Sequence, residues 1–245
     1  MKICFLGTGH GVPTASRSCS STLIEVGGDV YYIDGGAPIV DRTLLSGREL
    51  TDARAFFITH THGDHVNGIF HFADLINWRY RDASIEIYTP EENFGVALSE
   101  LISITSKPID SERIRFKTAK AGMVYEDENI RVSYIPTKHM ESVDRPSYAI
   151  LVEGEGKRIL FSGDLSQRLE RSDFPPAAYE ELDLFVLELA HFGIDELACH
   201  FPNIGAKMVA FSHVSPVAKY DDIESIKNKY AFEVLTPSDM EEFEI

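Results

Sequence analysis

The sequence predicts a layered α/β fold, in which strands and helices alternate along 245 residues. Short apolar runs typical of buried strands are separated by segments whose apolar residues recur at helical spacing. A hairpin with a glycine-rich turn, followed by an aspartate just past its second strand, occurs once in each half of the chain. No linker or low-complexity segment divides the halves, so we predict a single domain over residues 1–245.

The first half of the chain is predicted to begin with a strand and a glycine-rich loop. Gly7, Gly9 and Gly11 lack the spacing of a dinucleotide-binding loop, and Pro13 discourages a helix, so a tight loop at the edge of the sheet is favoured. Strands are predicted at residues 2–6, 21–26, 30–33, 55–58, 84–88 and 113–117. Helices are predicted at residues 38–46, after residue 65, and at residues 91–104. The last helix is expected to bury Val96, Leu98, Leu101 and Ile102.

The second half of the chain follows the same pattern. An acidic turn at residues 126–128 is expected to join the strand at 113–117 to the next strand. The strands predicted here cover residues 130–135, 148–152, 158–161, 184–189, 208–211 and 232–235. One closing helix is predicted at residues 221–230.

Composition limits the classes of partner. The net charge is −16 and the 23 lysines and arginines form no run, which argues against an extended nucleic-acid groove. The apolar run at the N-terminus is too short for a signal peptide, and no segment has the length of a membrane span, so a cytoplasmic location is expected. Three cysteines without a CxxC motif indicate neither a disulfide framework nor a structural zinc knuckle.

The segment from Thr59 to His65 contains four side chains that can bind a metal ion. It follows the buried strand at residues 55–58, and His60 and His62 project to the same side of extended chain. Gly63 permits the bend that brings Asp64 and His65 round from the start of a helix. Imidazole suits zinc, manganese or iron, and a carboxylate among imidazoles suits a second ion nearby. A polar turn has no need of three histidines, so a metal site is predicted.

Other polar residues that can bind a metal also stand at predicted strand ends. In α/β layers the carboxyl ends of strands form the site, so residues distant in sequence can meet there. Asp34 fits two roles, a loop cap or the support of a ligating histidine, and the residues alone leave both open. The set at strand ends is Asp34, His60, His62, Asp64, His65, His139, Asp164, His191 and His213.

With these residues the chain resembles the metallo-β-lactamase-fold hydrolases, whose His-x-His-x-Asp-His signature it carries at residues 60–65. The resemblance covers residues 1–245 and implies a four-layer αββα sandwich of two pseudo-equivalent halves. It further implies that Asp164 bridges two metal ions and that Asp34 supports the site from behind. The implied ligands of one ion are His60, His62 and His139, and those of the other are Asp64, His65 and His213.

Within that superfamily the chain is most similar to the ribonuclease Z and phosphodiesterase branch. The opening Leu6-Gly7-Thr8-Gly9 and the stretch Ser162-Gly163-Asp164 carry this similarity. Only 25 positions separate His139 from Asp164 (164 − 139), which leaves no room for the tRNA-gripping arm of the tRNA enzymes. Their Glu-Ala-Thr and His-Ser-Thr motifs appear here as Glu188 to His191 and His200 to Pro202, without the hydroxyl residues.

The predicted function is a metal-dependent hydrolase that cleaves a small phosphodiester or nucleotide-type substrate with a metal-activated hydroxide. Two divalent ions are expected, with zinc first and manganese or iron as alternatives. Asp64 belongs to the metal site, and the leaving group needs a proton from His200 or His191 with Glu188 near in sequence; His200 is preferred.

Three other functions remain in view. A lactonase, or another ester or thioester hydrolase, would use the same metals with Tyr148 as an oxyanion donor. A tRNA 3′-processing endonuclease and a non-catalytic metal-binding module are less favoured. A small-molecule substrate is expected, extended nucleic acid and membrane are not, and a homodimer is left open.

Overall fold

The computed structural model describes residues 1–167, 173–215 and 219–245. Within these ranges, two seven-stranded sheets pack face to face and helices cover the outer face of each sheet. This arrangement confirms the predicted four-layer αββα sandwich. None of the helices in the described part of the chain combines the length and the apolar character that a membrane span requires.

The first sheet contains the N-terminal strands and one strand from the C-terminus. In spatial order, its first four strands pair antiparallel and the last three continue in parallel. In spatial order the strands are β14 (Glu241–Glu244), β1 (Lys2–Gly7), β2 (Ser21–Val26), β3 (Asp29–Ile33), β4 (Ala53–Phe57), β5 (Ile85–Thr89) and β6 (Ile114–Thr118).

The second sheet repeats this design, with an antiparallel part followed by a parallel part. From the antiparallel edge, its strands are β7 (Gly122–Glu126), β8 (Arg131–Thr137), β9 (Ser147–Gly154), β10 (Lys157–Phe161), β11 (Leu182–Leu189), β12 (Ala206–Val214) and β13 (Glu233–Leu235). The candidate ligands lie after β4, β8 and β10 and at the end of β12.

Three apolar cores hold the layers together. The core between the sheets includes Phe57 and Val152, both fully buried. Outside the first sheet lie α1 (Ile39–Leu45), α2 (Gly63–Trp78) and α3 (Glu92–Thr105), and outside the second lie α4 (Ile194–Leu197) and α5 (Lys219–Ile226). A central strand therefore faces apolar layers on both sides, which is why every residue of Leu182–Leu189 is buried.

Strand β7 was not predicted; the acidic turn at residues 126–128 joins it to β8, and Asp127 in this turn ties it to the opposite sheet. This carboxylate accepts hydrogen bonds from the hydroxyls of Tyr31 on β3 and Tyr125 on β7. It also accepts the backbone N–H groups of Asn129 and Ile130. The pKa of Asp127 is raised by burial, but these hydrogen bonds outweigh burial and hold it below its ordinary value of 3.8.

Two expectations about the rim of the molecule were wrong. Val96 and Leu101 on α3 are 57% and 45% exposed, because the buried residues of α3 are Gly95, Leu98 and Ile102. Strand β14 was not predicted, because three of its four residues are glutamates; it is an edge strand that pairs with β1 alone.

Candidate metal centre

The loop between β4 and α2 presents the histidine motif. Strand β4 ends at Phe57, and α2 begins at Gly63 with His62 as its extended N-cap residue. His60 and His62 therefore project from extended backbone, while Asp64 and His65 lie in the first helical turn. The bend at Gly63 brings all four side chains to one edge of the sheet.

Asp34 holds this loop from behind and fulfils both roles considered for it. One oxygen accepts the backbone N–H of Thr59 at 2.8 Å, and the other lies 2.6 Å from Nδ1 of His65. Asp34 has a left-handed backbone, with φ 60°. Because Nδ1 of His65 donates to Asp34, the lone pair of Nε2 is directed to the opposite side of the ring.

A first group of ligand atoms comprises His60, His62, His139 and Asp164, all within 4.8 Å of one another. Nδ1 of His62 lies 3.0 Å from Nε2 of His60 and 3.1 Å from Nε2 of His139. Oδ2 of Asp164 lies 3.6 Å from Nε2 of both His60 and His139. Tetrahedral zinc with bonds of about 2.0–2.1 Å requires about 3.3 Å between ligand atoms, so the spacing fits.

A second group comprises Asp64, His65 and His213. Nε2 of His65 lies 3.5 Å from Oδ2 of Asp64 and 3.5 Å from Oδ1 of Asp164. Nε2 of His213 lies 3.8 Å from Asp64 and 3.4 Å from Oδ2 of Asp164. Asp164 thus faces both groups, as the family resemblance implied for a bridging ligand.

Three buried polar atoms of these groups lack a hydrogen-bond partner among the described residues: His65 Nε2, Asp164 Oδ1 and His213 Nδ1. Buried polar atoms are nearly always satisfied, and an unsatisfied one costs about 1–3 kcal/mol. An ion held between His65 and Asp164 would satisfy the two atoms that face each other there. The donor set of imidazoles and carboxylates therefore fits a dinuclear site for zinc, manganese or iron.

The carboxylates and imidazoles in the cluster stabilise each other's charged forms. Burial would raise the pKa of Asp164, but His213, His65 and His60 around it hold that pKa well below its usual range. Burial would lower the pKa of His65, but the carboxylates of Asp164 and Asp34 hold it well above its usual range. The centre is thus built to carry a carboxylate among cations.

Asp164 stands in a turn after β10 that requires glycine. Gly163 has φ 57°, and a Cβ there would lie 2.5 Å from the carbonyl oxygen of Tyr148. The backbone N–H of Tyr148 in turn donates to the carbonyl of Thr59. Tyr148, the candidate oxyanion donor, thus serves the site through its backbone, while its ring packs on Tyr134.

The loops that carry His139 and Asp164 are joined by Asp173, which is 2% exposed. One oxygen accepts the backbone N–H of Lys138 and the other that of Ser166, both at 2.6 Å. In addition, Nδ1 of His139 lies 3.0 Å from the carbonyl oxygen of Leu165, to which it can donate. These contacts fix the distance between two ligands that come from different loops.

His191 forms a third group with metal-ligand spacing, together with Asp164 and His213, and it is held by Glu188. Nδ1 of His191 lies 2.9 Å from Oε1 of Glu188, and Nε2 lies 3.8 Å from Oδ2 of Asp164. Burial would lower the pKa of His191, but Glu188 outweighs burial and raises it. Glu188 is 3% exposed and also accepts the backbone N–H groups of Leu165 and Ala190.

Lys219 braces the loop that carries His191. Its Nζ donates to the carbonyl oxygens of Leu189 and Ala190 at 3.0 Å and of Phe192 at 2.7 Å. The ammonium therefore binds carbonyl oxygens on both sides of His191 in the sequence, and these three hydrogen bonds limit the movement of that loop.

His200, the residue preferred as proton donor in the sequence analysis, lies elsewhere. It is 3% exposed, its ring stacks on Phe174 at 4.1 Å, and its Nδ1 lies 2.6 Å from the hydroxyl of Tyr179. It belongs to none of the groups with metal-ligand spacing in the described chain, whereas His191 does. Glu188 pairs with His191, so the geometry favours His191 over His200 as the proton donor.

The sequence analysis missed His10. It lies in the loop after β1, with its ring 6.3 Å from that of His213. Burial and the neighbouring His213 lower the pKa of His10. A histidine between two glycines after a buried strand was the available signal, but the glycines alone drew attention.

A family model described as anti-Pycsar protein Apyc1 matches residues 1–228. Among curated relatives, ribonuclease Z of Prochlorococcus marinus (strain MIT 9515) is 27% identical over 187 residues, which cover 74% of this chain and 58% of the relative. Ribonuclease Z of Nitrosopumilus maritimus is 25% identical over the whole of both chains. The chain thus spans about half the length of some curated relatives and all of another.

Solved structures show the same fold. The metallo-β-lactamase fold protein YhfI from Bacillus subtilis has a TM-score of 0.78 at 16% identity, covering 99% of this chain and 98% of that one. Human tRNase Z, short form, has a TM-score of 0.76 at 19% identity, covering 100% and 99%. Zn²⁺-bound PqqB from Methylobacterium extorquens has a TM-score of 0.70 at 12% identity over both whole chains, so a protein of this fold holds zinc.

The fold and the relatives together place the chain among the metallo-β-lactamase-fold hydrolases, close to the ribonuclease Z and phosphodiesterase branch. Since the family model covers nearly the whole sequence, the chain belongs to the family of the anti-Pycsar protein Apyc1.

Proposed function

We propose that this protein is a dinuclear-metal hydrolase that cleaves a small phosphodiester or nucleotide-type substrate. The observation that carries the proposal is the placement of Asp164, whose carboxylate lies within 3.6 Å of His60 and His139 in the first group and of His65 and His213 in the second. His60, His62 and His139 would hold one ion, Asp64, His65 and His213 would hold the other, and Asp164 would serve both. Zinc is the first candidate, with manganese and iron as alternatives.

Bound there, two divalent ions lower the pKa of water toward neutrality and stabilise negative charge on the phosphoryl group. The protein's own residues set up this chemistry. Asp34, Asp173 and the Thr59 backbone hold the ligands in place before any substrate arrives. Fixed groups of this kind need little rearrangement during the reaction.

His191 supplies the proton that the leaving alkoxide requires. Its Nδ1–H is engaged by Glu188, so Nε2 is the atom that carries and gives up the proton. Glu188 raises the pKa of His191, which favours the protonated ring. His200 is remote from this role because it is stacked in the core on Phe174.

A small substrate fits the shape and charge around the centre. A cleft of about 480 Å³ reaches Asp64 and is lined by the loop after β1 and by α2, which suits a compact organic group. Between His139 and Asp164 the chain forms only a short turn and the strands β9 and β10. A net charge of −16 opposes binding of a polyanion along its length.

The test compares kcat/KM for a chromogenic phosphodiester, a cyclic mononucleotide, a lactone and a 3′-extended pre-tRNA, with the same metal and salt. The two small diesters should be cleaved and pre-tRNA should be a poor substrate. Faster cleavage of pre-tRNA would contradict the size argument, and turnover of the lactone alone would favour the esterase alternative. His191→Ala should lower kcat by about 10²–10⁴-fold. His200→Gln, the matched histidine control, should keep most activity.

A further inference from the structure

The loop between β1 and β2 covers the second ligand group. At Gly11, an added Cβ would lie 3.4 Å from Oδ2 of Asp64, so the backbone of the loop passes directly over this ligand. The neighbouring His10 has its ring 6.3 Å from that of His213, at an interplanar angle of 85°. His10 is partly exposed, which places it where the centre meets solvent.

This loop is held in one conformation by Asp239, whose side chain is 4% exposed. Asp239 accepts the backbone N–H of Thr8 at 2.9 Å and the backbone N–H of Ser18 at 2.6 Å, which are the two ends of the loop. Gly9 closes the loop by donating to the carbonyl of Ser18 at 2.7 Å. The carbonyl of Thr8 also accepts the backbone N–H of His213 at 2.9 Å, so loop and ligand are fixed together.

The tautomer of His10 is set by its own loop. The backbone N–H of Val12 donates to Nδ1 of His10 at 3.3 Å. A ring nitrogen that accepts a hydrogen bond carries no proton, so the proton of the neutral ring is on Nε2. His10 therefore offers one N–H donor from a fixed loop.

We propose that His10 is a further catalytic residue, whose Nε2–H donates a hydrogen bond to a phosphoryl oxygen of the substrate. The proposal rests on the proposed function. Among the described residues, His10 belongs to none of the groups with metal-ligand spacing, and each group has three or more members without it. A donor next to a phosphoryl group stabilises the charge that grows there during the reaction. His10 keeps its proton throughout, because the leaving group takes its proton from His191.

The kinetic test uses His10→Ala and His10→Gln, with His71→Ala as a matched control on the exposed surface of α2. His10→Ala should lower kcat for the phosphodiester by about 100-fold, the typical loss for one such donor. His10→Gln retains an N–H donor and should recover most of that loss. Metal content should equal that of the wild type in all three variants. Unchanged kcat in His10→Ala, or loss of metal from it, would overturn the proposal.

A second measurement does not depend on turnover. Inorganic phosphate should bind metal-loaded wild-type protein and shift the ¹⁵N resonance of His10 Nε2, and His10→Ala should bind phosphate at least about fivefold more weakly. If wild-type protein cleaves no diester, the proposed function fails, and phosphate affinity alone then decides the role of His10. Equal phosphate affinity in wild type and His10→Ala would overturn it.

Discussion

Asp173 offers a direct measure of what holds the metal ligands in position. Its two oxygens accept the backbone N–H groups of Lys138 and Ser166 at 2.6 Å in a site that is 2% exposed. A hydrogen bond to a charged group contributes about 1.5–3 kcal/mol. Asp173→Asn replaces one acceptor oxygen with an NH₂ group, so it should lower the free energy of unfolding by about 2 kcal/mol. Asp173→Ala removes both acceptors and should cost about 4 kcal/mol.

Urea denaturation of the metal-free proteins at pH 7 measures this loss, with Asp82→Asn as the exposed control. A metal-competition titration should also show about 10–100-fold weaker binding in Asp173→Asn, because the relative position of His139 and Asp164 is no longer fixed. If Asp173→Asn matched the control within about 0.5 kcal/mol and bound metal as tightly as wild type, the reasoning would be refuted.

Three further changes have defined outcomes. Asp164→Ala should abolish turnover and weaken both metals together, by elemental analysis; retention of one tight metal and most activity would show that Asp164 is no bridge. Lys219→Met should lower kcat about tenfold with unchanged metal content, because the loop of His191 loses three hydrogen bonds. The depressed pKa of Asp127 gives stability that is complete above about pH 4 and is lost as the pH falls through the lower native pKa. Acid titration should therefore destabilise the wild type more than Asp127→Asn.

The sequence revealed the centre because its ligands follow buried strands. The motif at residues 60–65 has a spacing that suits the end of a strand followed by the start of a helix, and the structure shows that arrangement. His139 and Asp164 follow the same rule after β8 and β10. Apolar runs also located twelve of the strands to within a few residues, because strands between two layers are buried on both faces.

Residues that act through distant backbone groups were harder to find. Asp173 and Asp239 bind N–H groups of loops that lie up to 231 positions away, and such contacts leave no periodic pattern. Whether His191 or His200 is the proton donor depends on which ring contacts Glu188, and both residues lie near Glu188 in the sequence. Strand β14 is set by pairing with β1, since its own residues are mostly charged.

The ligands of the centre come from both sheets: four lie between the end of β4 and the first turn of α2, two lie in the loops after β8 and β10, and His213 lies at the end of β12. An unfolded chain keeps together only the ligands at residues 60–65, so ions should bind the native state more tightly than the unfolded state. Stability then depends on free metal by mass action, with a gain of about 2.7 kcal/mol per site at one hundred times the dissociation constant. The thermal midpoint of unfolding should accordingly rise with metal concentration and fall on chelation. The stability of the two-sheet sandwich would then report the concentration of free metal around the protein.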